Sequence, residues 1–458
     1  METVLQAKDA VEWAYRGEGA VNLVLAYRGS SPKFVGKVLR IPKVPNHGSD
    51  ENGHSPLTKL ECIMWGEFDG IVSAPTREIA EQLYVQKVMC PLLGPDHVDA
   101  GIRLSASKEF LEAVEYKVLL QRPSSRVDAA KVNSLCDSVL LITDHSIFPH
   151  VSGTLKEDFS VSVEIKPKCG FLPLSDFIAE ENAIKKRITR FRMHQALKLS
   201  QGQISQISKY NPLDLFSGSK DRVQKAIKSL FLTPQNNFRV FLNGSLIFGG
   251  MDGSADSPSH SANRAFQDAL KHVILARDGM HSKYFTELVA DTVMRSGLLD
   301  KLLEIQKLDS IDIEGAIHAY YDVVSKPCVI CLEKGRKKLA GRYSSIHAMP
   351  RDKKFKLVMD YLISATGKDL SVMVSFRSRG YKDPESPYNV VYLEPTNQTF
   401  DFKASFIDLD MKPLKKMKRY YELDQKIVNF YLQTEKDKEA IEFGESIEES
   451  SKSCMAKC

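Results

Sequence analysis

Residues 162–173 read SVEIKPKCGFLP. The alternation predicts a strand with Glu164, Lys166 and Lys168 on one face and Val163 and Ile165 on the other. Pro167 lacks a ladder donor and marks the strand's end, so Lys168 is expected at its mouth. A second acid-then-lysine run, FIDLDMKPLKKMKRYY at 406–421, places Asp408 and Asp410 ahead of Lys412, Lys415, Lys416, Lys418 and Arg419. Two strand ends of like chemistry are expected to converge on one anionic ligand.

The rest of the chain limits what that ligand can be. With 63 Lys and Arg against 58 Asp and Glu, the formal charge is only +5, too little for a polycation that coats nucleic acid or anionic lipid. Positive charge must therefore be concentrated locally. Hydrophobic residues at 43% and charged residues at 26% are globular values, and 458 residues exceed what one core usually organises, so two lobes are expected. No long apolar run predicts a membrane span, and the opening METVLQAKDAVEWAY has no signal-peptide pattern. Eight cysteines without framework spacing predict reduced thiols in a cytoplasmic or nuclear protein.

Strands are predicted over 21–27, 34–41, 117–121 and 138–143, with helices over 78–88 and 108–116, giving an amino-terminal α+β lobe over residues 1–146. Residues 46–56 read as a loop and 144–158 as a crossover. The second lobe, 147–434, carries helical patterns from 174, over 219–231 and over 265–302. It also carries a hairpin over 238–248 with Asn243-Gly244 at its turn, a loop over 249–262, strands over 369–377 and 404–410, and a helix over 422–434. Residues 435–458 read as a disordered tail.

Between residues 282 and 453 the only Cys and His residues are His318, Cys328, Cys331 and His347, in the pattern H-x9-C-x2-C-x15-H. A lone C-x-x-C is equally well a pair of buried thiols. Four ligand types within about thirty residues favour a closed, structural Zn²⁺ site.

Three further features suit bound phosphate. GEGAVN at 17–22 can turn between strands and offer backbone N–H groups, although an ordinary turn has the same pattern. Arg40 lies on the following strand, where a solvated strand end is the other reading. Asp408 and Asp410 alternate with apolar residues, so both are expected on one strand face, able to hold Mg²⁺ beside a triphosphate or to form a polar sheet edge.

EIKPKCGFLP at 164–173, RMHQALKL at 192–199, QNNFRVFLNGSLIFGG at 235–250, TGKDLSVM at 366–373 and IDLDMKP at 407–413 resemble the inositol-pentakisphosphate 2-kinases, those of plants above all. The resemblance covers nearly the whole chain. It implies an α+β, two-lobed fold distantly similar to protein kinases and inositol polyphosphate kinases. The activity implied is ATP-dependent phosphorylation of the axial 2-hydroxyl of inositol pentakisphosphate to the hexakisphosphate, phytate. No H-R-D or D-F-G triplet is present, so a protein kinase proper is disfavoured.

The resemblance also implies roles. Gly19, Ala20, Val21 and Asn22 with Arg40 would hold the ATP phosphates, and Thr143, Asp144 and His145 would form the hinge beside adenine. Glu164, Lys166 and Arg239 would complete the nucleotide side, with Mg²⁺ on Asp408. Arg126, Lys168, Lys198, Asn236, Lys412, Lys416 and Tyr420 would grip the inositol phosphates, and Asp369 would be both a substrate contact and the general base. Plant members carry a zinc site equivalent to the four ligands above. Five phosphates bring about −7.5 to −10 of charge, which demands a dense basic cradle. A monomer is expected, with no membrane partner and nucleic acid disfavoured. Two other readings stand beside this one: a non-catalytic, zinc-containing protein that binds inositol phosphates or RNA, and a kinase for less phosphorylated inositols.

Overall fold

The computed structural model describes residues 4–19, 21–46, 57–148, 159–249, 260–333, 341–380 and 386–455; side chains at 260–263, 265, 333 and 438–455 are not described. Ala20, and most of the loops expected at 46–56 and 249–262 and of the crossover expected at 144–158, lie outside the described residues. The chain is a mixed α+β protein with two sheets.

The first sheet has seven strands: β1 (Val4–Leu5), β2 (Trp13–Glu18), β3 (Asn22–Tyr27), β4 (Lys37–Pro45), β5 (Ile102–Ala106), β6 (Ala130–Val132) and β7 (Ser138–Thr143). Their order is β1-β5-β7-β4-β3-β2, with β6 beside β4. Only β1 and β5 run parallel. Helix Lys108–Val118 covers this sheet through Phe110, Leu111, Val114 and Val118. That spacing explains why 117–121 is not the expected strand: Val118 ends the buried stripe, while Leu120 in the following 3-10 turn is 96% exposed.

The second sheet is antiparallel: β8 (Ser160–Ile165), β9 (Phe238–Leu242), β10 (Ser245–Phe248), β11 (Ser371–Ser378), β12 (Asn389–Leu393) and β13 (Gln398–Ile407), in the order β10-β9-β8-β11-β13-β12. The hairpin turn falls on Asn243 and Gly244, both at positive φ, as a two-residue type I′ turn requires. Strand β8 keeps the alternation read from the sequence but is buried on both faces. Its apolar face, Val161, Val163 and Ile165, joins the main core. Its polar face meets the segment arriving from β7: Ser160 Oγ accepts the Phe148 N–H (2.9 Å) and Ser162 Oγ donates to the Ser146 carbonyl (3.0 Å).

Two helices, α1 (Lys59–Met64) and α2 (Arg77–Tyr84), follow the first hairpin in sequence but pack elsewhere. Leu57, Met64, Trp65, Tyr84, Val88 and Leu93 belong to the large core of the second sheet. His97 Nδ1 lies 2.9 Å from the Ala404 carbonyl, and Val98 bridges to Phe406. The final helix, Met417–Met455, starts earlier than residue 422, and its backbone continues through the segment read as a tail. Buried Lys185 joins it to the interior, pairing with Asp424 at 2.8 Å, with Glu314 at 3.1 Å and with Asp312.

Candidate functional site

The KPK motif turns sharply where β8 ends. Lys168 has φ 62°. The turn is held by Tyr210 Oη donating to the Pro167 carbonyl (2.7 Å) and by buried Gln306, which donates to the Lys168 carbonyl (2.8 Å) and accepts the Gly170 N–H (2.8 Å). A Cβ at Gly170 would lie 2.3 Å from the Phe216 ring, so only glycine lets the chain pass. Lys168 therefore leaves the line of Glu164 and Lys166 and does not share their face.

Glu164 and Lys166 form a closed network with three further residues. Lys166 Nζ donates to Asp408 Oδ2 (3.0 Å) and Ser371 Oγ (2.8 Å); Ser371 Oγ donates to Glu164 Oε1 (2.9 Å); Arg239 Nη1 donates to Glu164 Oε2 (3.2 Å). Strand β13 stops at Ile407, and Asp408 adopts φ 62°. The expected single strand face for Asp408 and Asp410 is thus replaced by a turn that sends them apart: Asp408 meets Lys166, whereas Asp410 Oδ1 accepts from Arg40 Nη2 (2.7 Å). Burial would raise the Asp408 pKa, but Lys166 and Arg40 overcome it and hold the value down at about 2.

Asp369 also lies outside its expected strand. It occupies the turn between helix Arg351–Gly367 and β11, where Lys412 Nζ donates to its Oδ2 (2.7 Å). Burial opposes its ionisation, yet Lys412, Lys168 and Lys166 hold its pKa below the ordinary carboxylate value. On the other side of Asp369 the cations crowd each other. Burial and Lys166 push the Lys168 pKa down to about 8, while burial and Arg190 lower that of Lys198. Burial, with Lys412 and Arg419, lowers that of Lys416. Tyr420 packs near Tyr361 and faces Lys412 and Asp369.

A cleft of about 670 Å³ between the sheets is lined by Gly19, Arg40, Arg126, Glu164, Lys166, Asn236, Arg239 and Asp408, and by Thr143, Asp144 and His145 at the crossing. Val24 and Val38 from the first sheet and Leu246, Met373 and Phe406 from the second give it apolar walls. Burial drives the His145 pKa down to about 4, so its imidazole is neutral at pH 7. An adjoining groove of about 840 Å³ is lined by Val21, Asn22, Arg40, Lys166, Asp369, Lys412 and Lys416. Lys168, Lys198 and Tyr420 line neither opening but reach this group through their electrostatic contacts with Asp369, Lys168 and Lys412 respectively.

Several contributors carry no motif. Arg16 Nη2 donates to Asp144 Oδ2 (2.6 Å), and a Cβ at Gly244 would lie 2.2 Å from that nitrogen, so Arg16 touches the β7 crossing and the β9–β10 turn together. Asp99 accepts the Thr143 N–H (2.8 Å). Arg122 donates to Glu18 through Nε (2.9 Å) and to the Ala130 carbonyl through Nη2 (2.6 Å), tying the end of β2 to the Arg126 turn. Only Arg16 had a local signal, its place one residue ahead of GEGAVN.

His318, Cys328, Cys331 and His347 come together as expected, with ligand atoms within 4.8 Å of one another. Cys328 Sγ and Cys331 Sγ lie 3.3 and 3.4 Å from His318 Nδ1, and His347 Nε2 lies 3.3 Å from it. A tetrahedral ion ~2.0–2.3 Å from N and S donors gives ligand–ligand edges of roughly 3.3–3.8 Å, so the four donors fit a metal. Asp322 Oδ2, 3.0 Å from His347 Nδ1, orients that imidazole in the usual way.

The family model for inositol-pentakisphosphate 2-kinase matches residues 15–426. The chain is 54% identical to the inositol-pentakisphosphate 2-kinase of Arabidopsis thaliana over 440 residues, covering 95% of this chain and 96% of that one. To the enzyme of that name from Oryza sativa subsp. japonica it is 48% identical, covering 94% and 96% of the two chains. The Danio rerio protein of the same name is 29% identical over 94% and 95%.

Proposed function

The chain belongs to the inositol-pentakisphosphate 2-kinase family, and from that premise we propose that it transfers the γ-phosphoryl group of ATP to the 2-hydroxyl of inositol pentakisphosphate, giving the hexakisphosphate. The observation that carries this reading is the pairing of two adjoining sets: a neutralised Glu164–Lys166–Arg239–Asp408 network, and a crowd of unrelieved cations around Asp369.

In this reading the two sheets are the centres of two kinase-like lobes, and the cleft between them takes the nucleotide. The base lies between Val24, Val38, Leu246, Met373 and Phe406, beside Thr143, Asp144 and His145. Arg40 releases Asp410 to meet the phosphates, together with Lys166, Arg239 and the backbone of the 19–22 loop. Asp408 would hold Mg²⁺, which would supply charge neutralisation for the transferred phosphoryl group. Its depressed pKa keeps it an anion at any physiological pH.

Lys168, Lys198, Lys412 and Lys416, with Arg126, Asn236 and Tyr420, take the acceptor phosphates. Their mutual repulsion in the free protein is relieved when a polyanion enters. Asp369 orients the 2-hydroxyl. As its oxygen bonds to the γ-phosphorus, the bond to the β-phosphate oxygen breaks, ADP leaves, and the hydroxyl proton passes to the Asp369 carboxylate. A carboxylate this acidic takes the proton late, so positioning and charge neutralisation carry most of the rate.

The His318–Cys328–Cys331–His347 set is read as a structural Zn²⁺ site with no open position. We further place the protein in the cytoplasm or nucleus, on its reduced-thiol composition, and expect it to act as a monomer. Incubation with Mg-ATP and a panel of inositol phosphates tests the reaction: hexakisphosphate formed from the pentakisphosphate supports it, and no ATP consumption with any of them rejects it.

A further inference from the structure

We propose that Glu61 is a positioning residue for the acceptor side of this site, acting through the backbone of the Lys412–Lys416 segment. The proposal rests on the reading above.

Glu61 lies in α1, is 3% exposed and belongs to the wall of the groove that also holds Asp369, Lys412 and Lys416. Its carboxylate bridges two places. Oε2 accepts the Thr58 N–H (3.0 Å) and the Thr58 hydroxyl (2.9 Å), closing a capping box at the start of α1. Oε1 reaches across to accept the N–H of Leu414 (3.2 Å). Arg77 Nη1, 3.6 Å from Oε2, supplies the counter-charge. Burial raises the pKa of this carboxyl, but the Thr58 N–H, Arg77, the Thr58 hydroxyl and the Leu414 N–H outweigh it and hold the pKa below the ordinary value.

Leu414 is the first residue of the short 3-10 turn Leu414–Lys416, and Pro413 before it has no N–H, so Leu414 offers the first backbone donor after Lys412. A second tie holds the other end of the segment: Tyr84 Oη, from α2, donates to Thr366 Oγ1 (3.2 Å), which donates to the Asp410 carbonyl (3.1 Å). Lys412 lies between these ties, and its ammonium meets Asp369 at 2.7 Å. Lys416 lies two residues beyond Leu414. Helices α1 and α2 thus fix the backbone from which two acceptor lysines project, whereas Glu164 and Lys166 bond to Ser371, Arg239 and Asp408.

The partners named here for the Glu61 carboxylate are all donors. In Glu61→Gln one oxygen becomes an NH₂ group, which faces either Leu414 N–H or the Thr58 pair, so one contact is lost in either orientation. Glu61→Asp keeps the charge but is one methylene too short to span both. The test is steady-state kinetics with Mg-ATP and inositol pentakisphosphate on wild type, Glu61→Gln, Glu61→Asp and Thr58→Ala, with thermal midpoints alongside.

The expected result is an acceptor KM raised about ten-fold in both Glu61 variants, equivalent to ~1.4 kcal/mol, with the KM for ATP within about two-fold of wild type. Thr58→Ala weakens the same cap but keeps the Leu414 contact, so it lowers the midpoint and leaves the acceptor KM unchanged. A wild-type acceptor KM in the folded Glu61 variants overturns the proposal. So does an equal rise in Thr58→Ala, or failure of both Glu61 variants to fold while Thr58→Ala folds, since each indicates a purely structural role. A wild-type protein that forms no hexakisphosphate rejects the functional reading instead.

Discussion

The two sides of the cleft treat charge in opposite ways. On the side proposed for the nucleotide each named cation has a carboxylate: Lys166 has Asp408, Arg239 has Glu164 and Arg40 has Asp410. On the side proposed for the acceptor, Lys412 pairs with Asp369, and the pKa values of Lys168, Lys198 and Lys416 are all depressed by burial and like charge. A built network can hold its geometry before ligand arrives. A crowd of cations stores unfavourable energy that a polyphosphate releases on binding, which is one way to favour the most highly charged acceptor.

The largest expected effect is at the boundary of the two sides. Asp369→Asn should lower kcat by roughly 10²- to 10⁴-fold, the usual share of a general base, in a variant that still folds but with a lower thermal midpoint, because Lys412 loses its carboxylate. Near-normal turnover in that variant would sink Asp369 as the base. Next, Lys168→Met should raise the acceptor KM by about ten-fold or more while leaving the KM for ATP near wild type. Because it removes a repelling charge, it should also leave the free protein as stable as before or more so; a matched loss of ATP affinity would erase the contrast drawn here.

A third, smaller effect concerns the His318–Cys328–Cys331–His347 cluster and the Zn²⁺ proposed for it. The helix that carries His318 also contributes Tyr320 to the acceptor groove, and Val324 follows it there. Cys331→Ser should abolish stoichiometric zinc, lower the midpoint by several degrees and disturb the acceptor KM more than that of ATP. Metal analysis of the wild-type protein showing no bound ion would remove the basis of this expectation.

The smallest effect is the dependence on pH. Lys168 in the free folded protein titrates at about 8, below the ordinary 10.5, so between those values the unfolded chain binds more protons. Its contribution is destabilising below about pH 8 and is relieved as pH rises toward 10.5, so the free protein gains stability across that window. Affinity for the acceptor should fall over the same range as the charge is lost. Saturating pentakisphosphate should suppress the gain in stability, and denaturation midpoints at pH 7.5 and 9.5 with and without it measure this directly.

Much of the site was legible because its chemistry is local. EIKPK and IDLD-x-KP bring their charges within a few residues, and the H-x9-C-x2-C-x15-H spacing needs only helices that fold back. The β8 alternation and the Asn243-Gly244 turn follow from the two-residue period and from left-handed backbone preference. Periodicity misled where chain direction changes. Asp408 and Lys168 both take φ 62°, so extrapolating a strand through them put side chains on the wrong face. Lys117–Gln121 looked like a buried strand because four or five residues are too few to separate a helix end from an edge.

Residue identity along the chain was enough for the charged motifs, the His/Cys cluster, most strands and helices, and through resemblance the family. These depend on residue identity at short spacing. Tertiary structure alone decided that α1 and α2 pack under the second sheet, that Arg40 crosses to Asp410, that Arg16 meets Asp144, and that Glu61 holds the N–H of Leu414. Those contacts join residues up to hundreds of positions apart. They are selected by which polar groups are left unsatisfied once the cores have closed, which no local pattern records.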